Sequence, residues 1–95
     1  MTKYVYLCFM KTKGLPMSEE ESKKWWAEHD KLCEKHKVKL LASGNPFGTV
    51  EEQVFVYGTD IHLDAFQAFR TPVTSIEPRP IAYTRTIQVL CHSRA

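Results

Sequence analysis

This 95-residue chain lacks the long apolar runs and the concentrated charge that mark several large classes of protein. No segment approaches the roughly 20 consecutive apolar residues that a membrane-spanning helix needs, so we expect no membrane association. The formal net charge is only +2, and acidic and basic residues are interspersed along the sequence. A nucleic-acid-binding protein needs a basic face that this pattern does not supply, so we expect no nucleic-acid partner.

Cysteine is also scarce, and its placement excludes two further classes. Cys8, Cys33 and Cys91 are odd in number and have no CxxC spacing, so neither a secreted disulfide framework nor a structural zinc knuckle is indicated. The N-terminal apolar run is short and has no small-residue cleavage site after it, unlike a signal peptide. These features favour a reducing cytoplasm, and the length predicts a single domain over residues 1–95.

The hydrophobic period changes along the chain and predicts six elements in the order strand, helix, strand, strand, helix, strand. The predicted elements are Tyr4 to Met10, a long helix opening at Ser18, Val38 to Ser43, Gln53 to Tyr57, a short helix that carries Leu63, Phe66 and Phe69, and Ile81 to Leu90. This order is typical of the ferredoxin-like α+β fold, in which a four-stranded antiparallel sheet carries both helices on one face.

Local signals predict where the helices begin and end. Ser18, followed three residues later by Glu21, forms a capping box for the first helix. Thr59 or Asp60 is predicted to cap the second helix. Three prolines within residues 71–80 predict a loop before the last strand.

The first strand is apolar on both faces, which suggests that both faces are covered. Its two alternating sets are Val5, Leu7 and Phe9 on one face, and Tyr4, Tyr6, Cys8 and Met10 on the other. Helices cover only one face of such a sheet. We expect the face with tyrosine, cysteine and methionine to pack on a second subunit or to line a pocket, and therefore predict a homodimer through the sheet face. The pattern does not decide which face of the last strand meets the helices.

His29 lies at the centre of an apolar stripe on the first helix, where a solvated residue is not expected. The stripe comprises Ser22, Trp25, Trp26, His29, Leu32, Cys33 and His36. A partly buried imidazole can act as a general acid or base, so His29 is the candidate catalytic residue. The same position also suits a structural histidine that bonds a backbone carbonyl or a tyrosine hydroxyl and fills space beside the two indoles.

Two other groups of side chains are candidates for binding a substrate or a metal ion. Tyr6, Tyr83 and Arg85 are candidate substrate-binding residues, because tyrosine offers an apolar wall with a polar tip and arginine a forked site for a carboxylate. His29 and Cys33 are four residues apart and could share a metal ion. His36, however, is about 10 Å from His29 along the helix, which is far for a third ligand. We predict no metal ligands and no cofactor.

Three stretches of this sequence resemble the YCII-related branch of the dimeric α+β barrel proteins. They are EHDKL from Glu28 to Leu32, KLLASGNP from Lys39 to Pro46, and DAFQAF from Asp64 to Phe69. The resemblance implies a homodimer whose two sheets close into a barrel, with a small-molecule cavity in each subunit on the sheet side away from the helices or at its rim.

The resemblance also implies a catalytic histidine at His29 that is partnered by an aspartate after the second strand. This sequence has no aspartate there, so Glu51 or Glu52 would have to replace it, with Asp30 as a further option. Related branches include cofactor-free monooxygenases, lactone isomerases, cyclases, haem-degrading enzymes and ligand-sensing domains. We therefore expect a small-molecule-binding protein, which as an enzyme would use His29 for proton transfer on a small cyclic or carboxylated metabolite. The alternatives are a non-catalytic binding or interaction module with a structural His29, and a metal- or haem-binding protein.

Overall fold

The computed structural model describes residues 2–13, 17–78 and 80–92, which form a ferredoxin-like βαββαβ unit. The elements are β1 (Tyr4–Thr12), α1 (Glu19–His36), β2 (Val38–Gly44), β3 (Gln53–Thr59), α2 (Leu63–Thr74) and β4 (Ile81–Leu90). The four strands form one antiparallel sheet in the order β2-β3-β1-β4. The predicted fold class and element order are confirmed.

Helix α1 begins and ends as its sequence predicts. The Ser18 hydroxyl accepts a hydrogen bond from the Glu21 amide, and the Glu21 carboxylate accepts one from the Ser18 amide, which completes the predicted capping box. Lys37 ends the helix in the left-handed conformation (φ 58°), and its amide donates to the carbonyls of the last turn. The buried residues Trp25 and Cys33 are eight positions apart, with His29 midway, so one stripe of the helix faces the sheet.

Helix α2 begins at a different residue from the one predicted. Its N-cap is His62, which makes no capping hydrogen bond. The prediction of Thr59 or Asp60 was wrong because both side chains bind other backbone groups. The Thr59 hydroxyl donates to the Lys37 carbonyl and accepts from the Ile61 amide, while the Asp60 carboxylate accepts from the Lys3 amide.

Helix α2 also continues past the predicted start of the following loop. It extends to Thr74 and includes Pro72 in its last turn, although proline has no amide hydrogen to donate there. Hydroxyl groups supply hydrogen bonds to carbonyls of this turn: Thr71 donates to the Gln67 carbonyl, and Thr74 and Ser75 donate to the Thr71 carbonyl. These side-chain bonds pair the carbonyls of Gln67 and Thr71 near the end of the helix.

The helices cover the face of β1 that carries Tyr6, Cys8 and Met10, each of which is at most 2% exposed. The expectation that this face turns away from the helices was wrong. The Tyr6 ring stacks on Phe66 of α2 with centroids 3.9 Å apart, and its hydroxyl donates to the Ile61 carbonyl at 2.9 Å. A tyrosine whose hydroxyl is paired in this way can be buried at little cost in free energy. The sequence alone does not show which group pairs with the hydroxyl.

Residues that stand opposite each other on paired strands share a face, which settles the orientation of β4. Thr86 lies opposite Cys8, and Gln88 lies opposite Tyr6. Thr86 and Gln88 therefore face the helices. The alternating residues form the other side of the sheet, which we call the outer face. The outer face includes Val5, Leu7, Phe9, Lys11, Lys39, Val54, Val56, Tyr83, Arg85, Ile87 and Val89.

Candidate functional site

His29 is completely buried between α1 and the sheet, and both of its ring nitrogens have polar neighbours. Its Nε2 lies 2.7 Å from the Tyr57 hydroxyl of β3, and its Nδ1 lies 3.2 Å from a carboxylate oxygen of Asp30. The histidine therefore connects a buried phenol on the sheet to a solvent-exposed carboxylate on the helix surface.

The surroundings of His29 and Tyr57 determine which of these two groups carry protons. Burial lowers the pKa of His29, an effect that the hydrogen bond from its ring to Asp30 partly opposes. Burial raises the pKa of Tyr57, so the phenol keeps its proton. Tyr57 then donates to Nε2, and the Nδ1 hydrogen of a neutral imidazole donates to Asp30. A tyrosine hydroxyl was one of the two partners expected for a structural histidine at this position, and Tyr57 supplies such a hydroxyl.

Aromatic rings and one thiol enclose the imidazole. The Trp25 ring is nearly parallel to it at a centroid distance of 5.3 Å, and Trp26 and Phe55 present edges at 5.1 and 5.8 Å. The Cys33 sulfur lies 3.8 Å from each ring nitrogen, and burial raises the pKa of this thiol to about 11. Cys33 is therefore a neutral packing group at physiological pH.

A cavity of about 440 Å³ lies between the N-terminal half of α1 and the end of the sheet where β1 ends and β3 begins. We call it the tryptophan cavity. Its lining residues are Met10, Thr12, Met17, Ser22, Trp25, Trp26, Glu52, Gln53, Phe55, Pro80 and Ile81. The walls combine aromatic rings and thioethers with a few polar groups, the usual composition of a site for a small organic molecule. His29 is not among the lining residues.

Trp25, one of the residues that line the tryptophan cavity, has an unpaired donor. The indole nitrogen of Trp25 is buried, and it has no hydrogen-bond partner within residues 2–13, 17–78 and 80–92. A buried N–H without an acceptor costs about 1–3 kcal/mol.

The structure places the predicted site residues in two separate locations. Tyr6 lies on the same side of the sheet as His29, but its hydroxyl binds the Ile61 carbonyl and the Gln88 amide. Tyr83 and Arg85 lie on the outer face, with the sheet between them and His29. The structure therefore does not bring these four residues into one site.

Arg85 already has a carboxylate partner. Its guanidinium donates twice to Glu51, at 3.1 and 3.2 Å, and the Tyr83 hydroxyl lies 3.4 Å from the same carboxylate. The bonds from Arg85 hold the pKa of Glu51 below its usual range, and the pair is charged at neutral pH. The guanidinium also lies 4.6 Å from the centre of the Phe9 ring.

Neither glutamate suggested as a partner of His29 contacts it. Glu51 binds Arg85 on the outer face, and the Glu52 carboxylate accepts from the Thr12 hydroxyl. The acidic group that does contact His29 is that of Asp30, its neighbour in the chain. Within the described parts of the chain no three histidine, cysteine, aspartate or glutamate residues are grouped to hold a metal ion.

Sequence reasoning missed two features of this region. Trp25 and Trp26 were assigned to the core stripe of α1, whereas they also form a cavity wall. Arg70 on α2 was overlooked, although it is the basic residue of that helix and follows the buried Phe69 directly. The signal that could have found it is a cation next to an apolar stripe.

No family model and no curated protein matches this chain. Solved structures do. A protein of unknown function from Rhodopseudomonas palustris is 14% identical, with coverage of 98% of this chain and 85% of that chain and a TM-score of 0.61. An uncharacterised NIPSNAP domain protein from Burkholderia xenovorans is 9% identical, with 97% of both chains covered and a TM-score of 0.58.

A third structure is described as a dimeric ferredoxin-like protein of unknown function from Thermobifida fusca. It is 13% identical, with coverage of 95% of this chain and 92% of that chain and a TM-score of 0.51. At such low identity these similarities show the fold alone, which is ferredoxin-like. Of the helices described, neither has the length and apolar content that crossing a bilayer requires.

Proposed function

We propose that this chain is a small-molecule-binding protein of the dimeric α+β barrel type, related to the YCII branch, and that its ligand occupies the tryptophan cavity. The observation that carries the proposal is a cavity of about 440 Å³ whose lining includes the aromatic rings of Trp25, Trp26 and Phe55. A ring-shaped, partly apolar molecule with an acceptor atom matches this lining. The resemblance to the YCII-related branch in the stretch around His29 supports the family assignment.

The geometry supports binding more directly than catalysis by His29. A general acid or base must come within hydrogen-bond reach of the proton that it transfers. His29 is fully buried, its ring is flanked by Trp25 and Trp26, and its Nε2 is held by Tyr57. We therefore propose that His29 is a positioning residue that fixes the two indoles of the cavity wall. Proton transfer by His29 remains a prediction, and a pH–rate profile that loses a pKa in His29→Gln would support it.

The test is a thermal-shift screen against small cyclic ketones, phenols, lactones and aromatic acids. A ligand at a hundred times its dissociation constant stabilises the native state by about 2.7 kcal/mol, which is readily measured in a domain of this size. The cavity is blocked by Ser22→Phe, since Ser22 lines it and is only partly buried. The control is Phe47→Ala, because Phe47 is fully exposed and lies in the loop before β3.

We expect at least one compound to stabilise the unmodified protein and Phe47→Ala but not Ser22→Phe. Stabilisation that persists unchanged in Ser22→Phe would place the ligand elsewhere. The same screen includes zinc and haem, and a shift with either alone would favour the metal- or haem-binding alternative.

We further propose that two copies of the chain pair through the outer face. That face is apolar, and its large side chains are well exposed in a single chain: Tyr83 is 43% exposed, Ile87 40% and Val89 41%. Arg85 is neutralised by Glu51, and the exposed residues Lys11 and Lys39 add positive charge on this face. An exposed apolar patch of this kind on a sheet face is typical of a subunit interface.

Light scattering coupled to size-exclusion chromatography tests this proposal. We expect a dimer that Ile87→Lys converts to a monomer, because the new charge would be buried at the interface without a partner. Phe47→Lys adds the same charge at an exposed loop and should remain dimeric. A monomeric unmodified protein would refute the proposal.

We also propose the cytoplasm as the compartment of this protein, which the free cysteines Cys8, Cys33 and Cys91 support.

A further inference from the structure

Two arginines lie in the described part of the chain, and their environments differ. Arg85 is paired with the Glu51 carboxylate. Arg70, on α2, is half-buried and is held by two neutral groups: its Nε donates to the Gln67 side-chain oxygen at 2.8 Å, and its Nη1 donates to the Thr84 hydroxyl. A guanidinium has five N–H donors, so three remain. Among the residues that the structure describes, Arg70 has no carboxylate partner.

Arg70 borders a polar cleft of about 350 Å³ between α2 and β4. Its lining residues are Lys13, Arg70, Thr74, Ile81, Ala82, Tyr83 and Thr84. The lining thus contains two cations and the hydroxyl-bearing residues Thr74 and Thr84, with no acidic side chain among these described residues. Because Gln67 and Thr84 fix the guanidinium plane, little side-chain freedom would be lost when an anion binds.

This cleft adjoins the tryptophan cavity. Ile81 contributes to the walls of both spaces. Met10 of the cavity wall and Thr84, which holds Arg70, stand directly opposite each other in the pairing of β1 with β4. Side chains in such pairs have Cβ atoms about 5 Å apart. A molecule of modest length could therefore reach both spaces.

From this juxtaposition we propose that the Arg70 cleft binds the anionic group of the ligand whose apolar part occupies the tryptophan cavity. The inference rests on the proposed function and specifies its ligand class: small organic acids with a cyclic apolar part and a carboxylate or phosphate group. Arg70 supplies up to three charge-assisted hydrogen bonds to the anionic oxygens, and Lys13 adds positive charge at the cleft.

The test compares acids with their uncharged amides. The probes are phenylacetate, 3-phenylpropanoate and 4-phenylbutanoate, each beside its primary amide, because the series varies the distance between ring and carboxylate. Dissociation constants are measured by calorimetry for the unmodified protein, Arg70→Gln and Lys35→Gln. Lys35→Gln removes one positive charge at an exposed position of α1 and controls for net charge. Phenyl phosphate, measured alongside, tells whether phosphate is preferred to carboxylate.

We expect at least one acid to bind the unmodified protein about tenfold or more tightly than its amide, since hydrogen bonds to charged groups are worth at least that ratio. The ratio should fall to near one in Arg70→Gln and persist in Lys35→Gln. This ratio does not depend on the stability of a variant. Equal binding of acid and amide to the unmodified protein would overturn the inference and leave the proposed function standing.

If none of the aromatic probes binds, the proposed function loses its support and the anion site is judged separately. In that case acetate and inorganic phosphate are titrated while the Arg70 Nε–H resonance is followed by NMR, with Arg70→Lys used to assign it. A saturable shift of that resonance supports an anion site. No shift with either anion overturns it.

Discussion

Replacing His29 with glutamine should remove a distinct pH dependence from the stability of this protein. Burial lowers the pKa of His29 in the folded state, whereas an unfolded histidine titrates near 6.5. Below about pH 6.5 the unfolded chain therefore binds a proton that the native state does not. Stability from the neutral ring is complete above that pH and is lost as the pH falls from about 6.5 toward the lowered native pKa.

The magnitude follows from proton linkage. A group that is protonated only when unfolded changes the free energy of unfolding by up to about 1.4 kcal/mol per pH unit. Between pH 6.5 and 5.5 the partly titrated unfolded histidine gives a loss of up to about 1 kcal/mol. In a domain of this size that corresponds to roughly 4–8 °C in Tm.

Urea unfolding at pH 7.5, 6.5 and 5.5, followed by tryptophan fluorescence, measures this effect. Glutamine at position 29 does not titrate, so His29→Gln should be less stable at pH 7.5 but should lose less stability on acidification than the unmodified protein. Other titrating groups contribute equally to both and cancel in the difference. His92→Gln, at an exposed position, should behave as the unmodified protein does. Parallel losses in the unmodified protein and His29→Gln would refute the assignment of a neutral buried imidazole.

Three further predictions concern packing and hydrogen bonding. Tyr57→Phe should cost about 1–3 kcal/mol in urea unfolding, because it leaves the buried Nε2 of His29 without a donor, and an unchanged midpoint would contradict the 2.7 Å bond. Phe66→Ala should cost roughly 3–5 kcal/mol, since it leaves a ring-sized void against Tyr6, whereas Phe47→Ala should stay within about 0.5 kcal/mol. Ser18→Ala should cost about 1 kcal/mol through loss of the cap, and circular dichroism with thermal melting would show no change if α1 began elsewhere.

The fold could be predicted because each element has a local signal of the correct period. The capping box at Ser18 and the apolar stripe of α1 depend only on neighbours within a few residues, and both are present. The prediction of the cap of α2 was wrong for the opposite reason, because it depends on contacts between distant residues. Thr59 has the chemistry of a cap, but its hydroxyl binds the carbonyl of Lys37, which is distant in sequence.

The orientation of β1 could not be predicted because both of its faces are apolar. Tyr6 looked suited to a pocket or an interface, yet two distant polar groups, the Ile61 carbonyl and the Gln88 amide, pair its hydroxyl inside the core. The prediction of the site residues failed for the same reason. Whether His29 contacts Tyr57 or Arg85 depends on which side of the sheet each residue occupies. The alternation along a strand separates its residues into two sets, but it does not show which set faces the helices.

The most direct test of ligand binding in the tryptophan cavity is an NMR titration that follows the indole N–H resonances of Trp25 and Trp26. Both residues line the cavity, so a ligand bound there would change the surroundings of both indoles. We predict that a small aromatic compound shifts both resonances in a saturable way in the unmodified protein and neither in Ser22→Phe. If no compound in a fragment library moves them, or if the shifts persist in Ser22→Phe, the cavity is not a binding site.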